Sequence, residues 1–203
     1  MKILLTGFEP FDNSRINPSK QIIQALVNEA IPGVQLDTAV LPVHLERGPE
    51  ALLQAVEATQ AEVIICLGQA SRRAVISIER IAVNLLDFRI PDNAGNQVKD
   101  QLIISDGPAA YFTTLPVREI FDTLKEKGIP AELSLSAGTF LCNQVIYTLL
   151  HYLRSQEMES TAGFIHLPAL PEQAAQMKGS IPSMSLENMI RGILIAIKVI
   201  AQE

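Results

Sequence analysis

The stretch Glu62–Gly68 reads EVIICLG, a short run of apolar residues that ends at a glycine. Such a run is typical of a strand buried on both faces of a sheet, because polar residues do not alternate with the apolar ones. The segments Lys2–Thr6 (KILLT), Ser134–Ala137 (SLSA) and Gly163–Leu167 (GFIHL) have a similar form. We therefore predict that these segments are strands of one sheet.

Segments with the period of a helix separate and follow the predicted strands. Several of them begin at Ser, Thr or Pro, which are common at helix N-termini. They are PSKQIIQALVNEA, GPEALLQAVEATQ, PVREIFDTLKEKG, TFLCNQVIYTLLHYLR and SLENMIRGILIAIKVIAQ. Strands that alternate with helices of this length indicate an α/β fold, with a largely parallel sheet covered on both faces. Reactive groups in such folds gather at the carboxyl ends of strands.

The length, composition and net charge of the chain restrict the kind of protein it can be. A length of 203 residues with 48% hydrophobic composition fits a single domain, and no linker or repeat divides residues 1–203. The net charge of -6 argues against nucleic acid as a partner. The apolar run at the N-terminus is too short for a signal peptide or a membrane span, so we expect a cytoplasmic protein with no membrane partner.

The sequence gives little sign of a metal or nucleotide site. The three histidines and two cysteines do not fall at zinc-ligand spacings, and we expect both Cys66 and Cys142 to be reduced thiols. Gly7 follows the first predicted strand, but no glycine-rich phosphate-binding pattern surrounds it. We therefore predict that the protein uses neither a metal nor an organic cofactor.

One long segment, Glu79–Ser105, departs from the alternation of strands and helices. It lacks a helical period and contains the turn-forming sequence PDNAGN. We predict a strand that opens at Glu79, then a long loop, and a hairpin within the segment. A loop of this length in a compact domain is usually functional or mobile.

Cys142 lies in SAGTFLCNQ, where an alternating run gives way to a predicted helix. A buried structural thiol is one interpretation, because free cysteine is among the most buried residue types. The alternative is a nucleophile, since the N–H groups and dipole of a helix N-terminus favour a thiolate and can face an oxyanion. Cys66 lies inside an apolar strand, far from any such feature, and we interpret it as structural.

A nucleophilic thiol needs a base, and the chain offers three histidines. His166 lies at the end of the predicted strand that follows the cysteine helix, so it fits the same crevice. His44 also follows a probable strand end and is the main rival. His151 falls in the middle of a predicted helix, where packing or a surface position is the simpler explanation.

A carboxylate should orient the histidine. Glu79 stands alone among apolar residues, which is unusual for a solvated face, while Asp87 and Asp92 are alternatives. Asp92 within PDN also fits a turn residue that accepts local hydrogen bonds. Phe8 and Phe11 next to a strand end suit either the wall of a small apolar pocket or the core.

Four separated motifs now give the chain a resemblance to a known family. They are TGFEPFDNSRINPS, LGQA followed by ISIERIAVNLLDFRIPDNAG, SAGTFLCNQVIY, and GFIHLPALPEQ. In this order they resemble the pyrrolidone-carboxylate peptidases, or pyroglutamyl-peptidases I. These are cysteine peptidases that remove an N-terminal pyroglutamyl residue. The resemblance implies a triad of Cys142, His166 and Glu79, and peptides with N-terminal pyroglutamate as substrates.

The resemblance also implies further properties. The fold would be a single-domain three-layer α/β/α sandwich around a twisted, mixed sheet, and a homotetramer is common among bacterial members. Arg89 and the N–H of Cys142 would stabilise the oxyanion, and Asn17 would help to organise the site. The residues expected to line the lactam pocket are Phe8, Phe11, Gln69, Ile90, Phe140 and Leu141.

The chain departs from the family pattern at three places. Ser71–Arg73 replaces a glycine-containing turn, Val98 stands where many relatives have proline, and Leu141 stands where valine is usual. The first two bear on loop conformation and the third on the width of the lactam pocket. A different thiol hydrolase, or a binding protein without turnover, would fit the same residues and remains an alternative.

Overall fold

A six-stranded sheet forms the centre of the structure, a computed structural model that describes residues 1–202. The strands are β1 (Lys2–Phe8), β2 (Gln35–Leu41), β3 (Val63–Gln69), β4 (Ile76–Glu79), β5 (Ile81–Val83), β6 (Ala110–Phe112), β7 (Ala131–Ser134) and β8 (Thr161–Leu167). The central sheet has the order β2-β1-β3-β8-β4-β7, while β5 and β6 form a separate pair. All neighbours in the central sheet are parallel except β4 and β8, which are antiparallel. The sheet is therefore mixed and largely parallel, as the sequence predicts.

Helices cover both faces of this sheet. They are α1 (Pro18–Leu26), α2 (Arg47–Thr59), α3 (Val117–Glu126), α4 (Leu141–Ser155), α5 (Pro171–Ala174) and α6 (Leu186–Ile200). Side chains of α1, α3 and α6 pack into one apolar cluster, and side chains of α2 and α4 pack into another. Each cluster also takes residues from alternate positions of the buried strands. The predicted three-layer α/β/α sandwich is confirmed.

The strands predicted from buried runs are confirmed at β1, β3 and β8, where nearly every residue is buried. The fourth prediction, Ser134–Ala137, is misplaced because β7 ends at Ser134 and Leu135 is 67% exposed. Among residues 1–202, β7 is an edge strand that pairs with β4 alone, and their pairing ends at Glu79 and Ser134. Its length is therefore set by a distant partner rather than by its own apolar residues.

The segment after β4 forms a strand and a long loop, but the prediction that Glu79 opens a strand is wrong. Glu79 is the last residue of β4, Arg80 interrupts the extended chain, and β5 begins at Ile81. β5 pairs with β6 beyond the segment, and a bridge joins Leu86 to Gln101 across the loop. β5 therefore pairs with a strand farther along the sequence than the hairpin predicted within Glu79–Ser105.

Candidate active site

A cleft of about 1030 Å³ opens at the edge of the sheet where β1, β3 and β8 end. Loops after these strands and the start of α4 form its walls. Ten residues predicted from the sequence line this cleft: Phe8, Phe11, Asn17, Gln69, Arg89, Ile90, Phe140, Leu141, Cys142 and His166. The remaining one, Glu79, is fully buried. The cleft therefore brings together side chains from both ends of the sequence.

Glu79 and His166 are joined by a hydrogen bond between neighbouring strands. In the antiparallel register of β4 and β8, Ser77 faces His166 and Glu79 faces Phe164, so Glu79 lies diagonally across from His166. His166 Nδ1 is 2.7 Å from Glu79 Oε1. Because this carboxylate accepts from Nδ1, the imidazole carries its proton there and Nε2 is free to accept another.

The Cys142 thiol rests on the sheet beside this pair. Cys142 is the second residue of α4, which begins after an extended Phe140. A Cβ atom on Gly68 would lie only 2.9 Å from Cys142 Sγ and 2.6 Å from the ring of Phe164. Gly68 is the register partner of His166 on the adjacent strand. The missing side chain of Gly68 therefore lets the sulfur reach the sheet next to the imidazole.

Burial disfavours the charged forms of both the Cys142 thiol and the His166 imidazole. Burial raises the pKa of Cys142 to about 12, with a further rise from the charge of Glu79 and an opposing effect of Arg73. Burial also lowers the pKa of His166, although Glu79 opposes this change. Desolvation therefore opposes the thiolate that a helix N-terminus favours, and it outweighs the backbone N–H of Cys142.

Arg73 contacts the same carboxylate, a role that the sequence analysis missed. Its Nη1 is 2.6 Å from Glu79 Oε1, and its Nη2 donates to the carbonyl of Ser136 at 2.7 Å. Burial raises the pKa of Glu79, but the hydrogen bond and charge of His166, together with Arg73, hold that pKa below its usual value. The only available signal was the tripeptide Ser71–Arg73, which reads as an exposed turn.

Aromatic rings form one wall of the cleft. The ring centroid of Phe140 lies 6.4 Å from that of Phe11 and 4.5 Å from that of Phe88. Phe88 is fully buried and was not among the predicted pocket residues. It packs edge-on against Phe140 and thereby fixes the ring that faces the cleft.

Polar side chains hold the loops of the cleft in place. Asn17 Oδ1 accepts from the backbone and hydroxyl of Ser19, while its amide donates to the Glu9 carbonyl. Gln69 Nε2 donates to Ser71 Oγ and to Gln173 Oε1. The serine at the position of the family's glycine-containing turn therefore contacts a predicted pocket residue.

The rival residues lie elsewhere or make other contacts. His44 Nδ1 accepts from two backbone N–H groups at the start of α2, and His151 Nδ1 lies 2.9 Å from the hydroxyl of Tyr111. Asp92 accepts four hydrogen bonds within and beside its turn. Asp87 lines the cleft but is exposed. These contacts leave His166 and Glu79 as the candidate histidine–carboxylate pair.

Within residues 1–202, no cluster of three or more His, Cys, Asp or Glu side chains could hold a metal ion. In the same residues, no helix is both long enough and apolar enough to cross a bilayer.

Comparison with known proteins identifies the family. The family model described as pyroglutamyl peptidase matches residues 1–203. The chain belongs to this family. It is 48% identical to a pyrrolidone-carboxylate peptidase of Vibrio vulnificus over 192 residues, which is 95% of this chain and 89% of the relative. It is 42% identical to a pyrrolidone-carboxylate peptidase of Coprothermobacter proteolyticus, covering 99% of this chain and 97% of the relative.

Solved structures of pyroglutamyl peptidases have the same fold. A mutant pyrrolidone carboxyl peptidase from Pyrococcus furiosus aligns with a TM-score of 0.97 at 42% identity, over 100% of this chain and 99% of that chain. Pyroglutamyl peptidase I of Bacillus amyloliquefaciens aligns with a TM-score of 0.95 at 39% identity, over 100% and 97% respectively. The protein is thus a cysteine peptidase of the pyroglutamyl peptidase family, and the family indicates pyroglutamyl peptidase activity.

Proposed function

We propose that the protein removes N-terminal pyroglutamyl residues from peptides by acyl transfer to Cys142, with His166 as general base and Glu79 as the group that orients it. One observation carries the proposal. The imidazole of His166 is held by Glu79 at 2.7 Å, and the sulfur of Cys142 rests on Gly68, the register partner of His166. Nucleophilic hydrolases generally place a base next to the nucleophile and a carboxylate that orients the base.

In the proposed reaction, Cys142 Sγ attacks the carbonyl carbon of the pyroglutamyl residue while His166 Nε2 accepts the thiol proton. The tetrahedral intermediate then collapses, the C–N bond breaks, and His166 gives the proton to the departing amine. Water attacks the thioester with His166 again as base, which releases pyroglutamate and restores the thiol. No metal or organic cofactor takes part.

The resting charges favour this coupled proton transfer. Burial raises the pKa of the Cys142 thiol, which favours transfer of its proton to His166 as the S–C bond forms. The lowered pKa of His166 keeps its imidazole neutral and able to accept that proton. Once His166 is protonated, the buried carboxylate of Glu79 stabilises the imidazolium.

The oxyanion of the intermediate would lie at the start of α4. The first N–H groups of a helix have no partner within the helix, and we assign the N–H of Cys142 to the oxyanion. Arg89 lines the same cleft with an exposed side chain, and we propose that its guanidinium adds positive charge there.

The cleft suits a neutral lactam better than a charged N-terminus. Its aromatic and aliphatic wall would pack on the ring, from Phe8, Phe11, Ile90, Phe140 and Leu141. Gln69 and backbone groups would pair with the ring N–H and C=O, while Asn17 keeps the adjacent loop in place. Pairing both polar groups gives selectivity, because a ligand that lacks one leaves a buried group without a partner.

The direct test measures release of a fluorogenic amine from its pyroglutamyl amide and from its prolyl amide, under reducing conditions. Proline lacks the ring carbonyl and carries a charged nitrogen, so we expect kcat/KM to be lower by roughly 10⁴-fold. Cys142→Ala should have no measurable turnover. Turnover of the prolyl amide at a similar rate, or activity in the alanine variant, would reject the proposal.

We further propose that the protein acts in the cytoplasm as a homo-oligomer, with the tetramer that the family resemblance implies. Light scattering coupled to size-exclusion chromatography gives the mass directly. A particle of about four times the 22.2 kDa chain is expected, and a monomer would contradict this assignment.

A further inference from the structure

Arg73 lies in the turn between β3 and β4 and touches two parts of the candidate site. Its Nη1 meets Glu79 Oε1 at 2.6 Å, the same oxygen that His166 Nδ1 contacts at 2.7 Å. The other carboxylate oxygen, Oε2, is buried and has no hydrogen-bond partner among the described residues. Glu79 Oε1 is therefore held from two directions, which fixes the carboxylate beneath the imidazole.

The second nitrogen of Arg73 reaches the loop that carries the nucleophile. Nη2 donates to the carbonyl of Ser136 at 2.7 Å. Ser136 also accepts a hydrogen bond at its hydroxyl from the N–H of Gly138 at 3.2 Å. The chain then passes through Phe140 into the first turn of α4, where Cys142 lies. One guanidinium thus links the acid of the triad to the loop before the nucleophile.

Other charged groups near this link do not replace it. Glu132 on β7 comes within 4.0 Å of Arg73 Nη1, but its carboxylate is half exposed and accepts from Ser77 Oγ at 2.6 Å. The Arg73 side chain itself is 26% exposed. The thiol of Cys142 on α4 is electrostatically coupled to both Glu79 and Arg73, and the thiol of Cys66 on β3 is coupled to Cys142. Arg73 is accordingly the cation of this cluster.

We propose that Arg73 is a positioning residue that fixes the Glu79–His166 pair relative to the loop carrying Cys142. This inference rests on the proposed function, in which these groups react together. The planar guanidinium suits the task because it donates in two directions at fixed angles, whereas a lysine ammonium would supply the charge without the rigid fork.

The charge of Arg73 gives the proposal a distinctive signature. Arg73 holds down the pKa of Glu79, of His166 and of Cys142. Removing the charge raises the pKa of the imidazole, so the base is lost to protonation at a higher pH than in the wild type. It also raises the pKa of the thiol. Both changes move the pH profile of Cys142 reactivity toward higher pH.

The test compares Arg73→Gln and Arg73→Lys with Arg80→Gln, which removes the same charge from a neighbouring exposed residue. Two quantities are measured against pH: turnover of a pyroglutamyl amide, and alkylation of Cys142 by iodoacetamide, located by mass spectrometry. For Arg73→Gln we expect kcat to fall roughly 10- to 100-fold with KM changed less than about threefold. Both profiles should move up by about half a pH unit or more.

Arg73→Lys should keep the profiles near those of the wild type and recover only part of kcat, while Arg80→Gln should match the wild type in both assays. Unshifted profiles in Arg73→Gln, even with reduced kcat, would overturn the positioning role, since a purely structural defect lowers activity without moving the pH dependence. Alkylation needs no substrate. A shifted alkylation profile without any turnover of pyroglutamyl amides by the wild type would therefore reject the proposed function alone.

Discussion

The two cysteines of the chain have similar resting ionisation but very different surroundings. Burial raises the pKa of both Cys66 and Cys142 to about 12. Cys66 is fully buried in β3, where its register partner on β1 is Thr6. Cys142 is partly exposed and lines the cleft, as does His166. Under the proposed function, access to the cleft and an adjacent base, rather than a low pKa, would distinguish the nucleophilic thiol from the structural one.

The largest expected effect comes from the same substitution at both cysteines. Cys142→Ser should lower kcat/KM by about 10⁴-fold or more, because a hydroxyl is a far weaker nucleophile in a site built around a thiol. Cys66→Ser should keep kcat/KM within about threefold of the wild type while lowering the free energy of unfolding by about 1–2 kcal/mol, since it buries a hydroxyl. Steady-state kinetics and urea unfolding measure the two quantities.

A loss of activity of similar size in both variants would contradict the distinction between a structural Cys66 and a nucleophilic Cys142. The two thiols would then act as one unit, and access to the cleft would not separate them.

An intermediate effect is expected at Gly68, which gives the Cys142 sulfur its room. A methyl group at Gly68 would lie 2.9 Å from Cys142 Sγ and 2.6 Å from the Phe164 ring. Gly68→Ala should therefore lower kcat by about 10- to 100-fold, because displacement of the sulfur by even about 1 Å misaligns it with the base. Overpacking should also lower the free energy of unfolding by about 1–3 kcal/mol.

Gly163→Ala is the matched control for Gly68→Ala. Its methyl group would meet Leu115 at 2.5 Å on the opposite face of the sheet. This variant should lose a similar amount of stability while kcat stays within about twofold of the wild type. If both variants lose kcat in proportion to stability, the position of the sulfur over Gly68 has no special importance.

The sequence predicts the centre of the fold better than its edges. β1, β3 and β8 are buried on both faces, so their own apolar residues reveal them. Among the described residues β7 instead pairs with β4 alone and ends where β4 ends, and the break between β4 and β5 falls at Arg80 within the sequence ISIERIAV. Pairing with distant strands decides both boundaries, and a local pattern carries no information about it.

The candidate site also combines residues that local sequence reveals with residues whose role depends on distant partners. The sequence predicts Cys142, His166 and Glu79 as candidate site residues from their own chemistry and their place next to strand or helix ends. The contacts of Arg73 and Gln173 depend on residues far along the chain, with separations of 63 residues to Ser136 and 104 residues to Gln69. Such residues read as ordinary polar turns until the fold brings their partners together.

The smallest expected effect lies at Gln173, which supports the pocket without touching either thiol. Its Oε1 accepts from the N–H of Leu170, and its Nε2 donates to Ser14 Oγ and to the Ile16 carbonyl. Gln173→Leu should loosen the loop before α1 and raise KM for a pyroglutamyl amide by about 3- to 10-fold, which corresponds to roughly 1 kcal/mol of lost binding.

Because this substitution leaves the surroundings of both cysteines unchanged, kcat and the rate of Cys142 alkylation should stay within about twofold of the wild type. Gln24→Leu, at an exposed position of α1 that does not line the cleft, serves as the control for the loss of an amide. A fall in kcat or in alkylation rate in Gln173→Leu would mean that the loops and the thiol are coupled. The reactivity that separates Cys142 from Cys66 would then depend on the pocket loops as well as on His166.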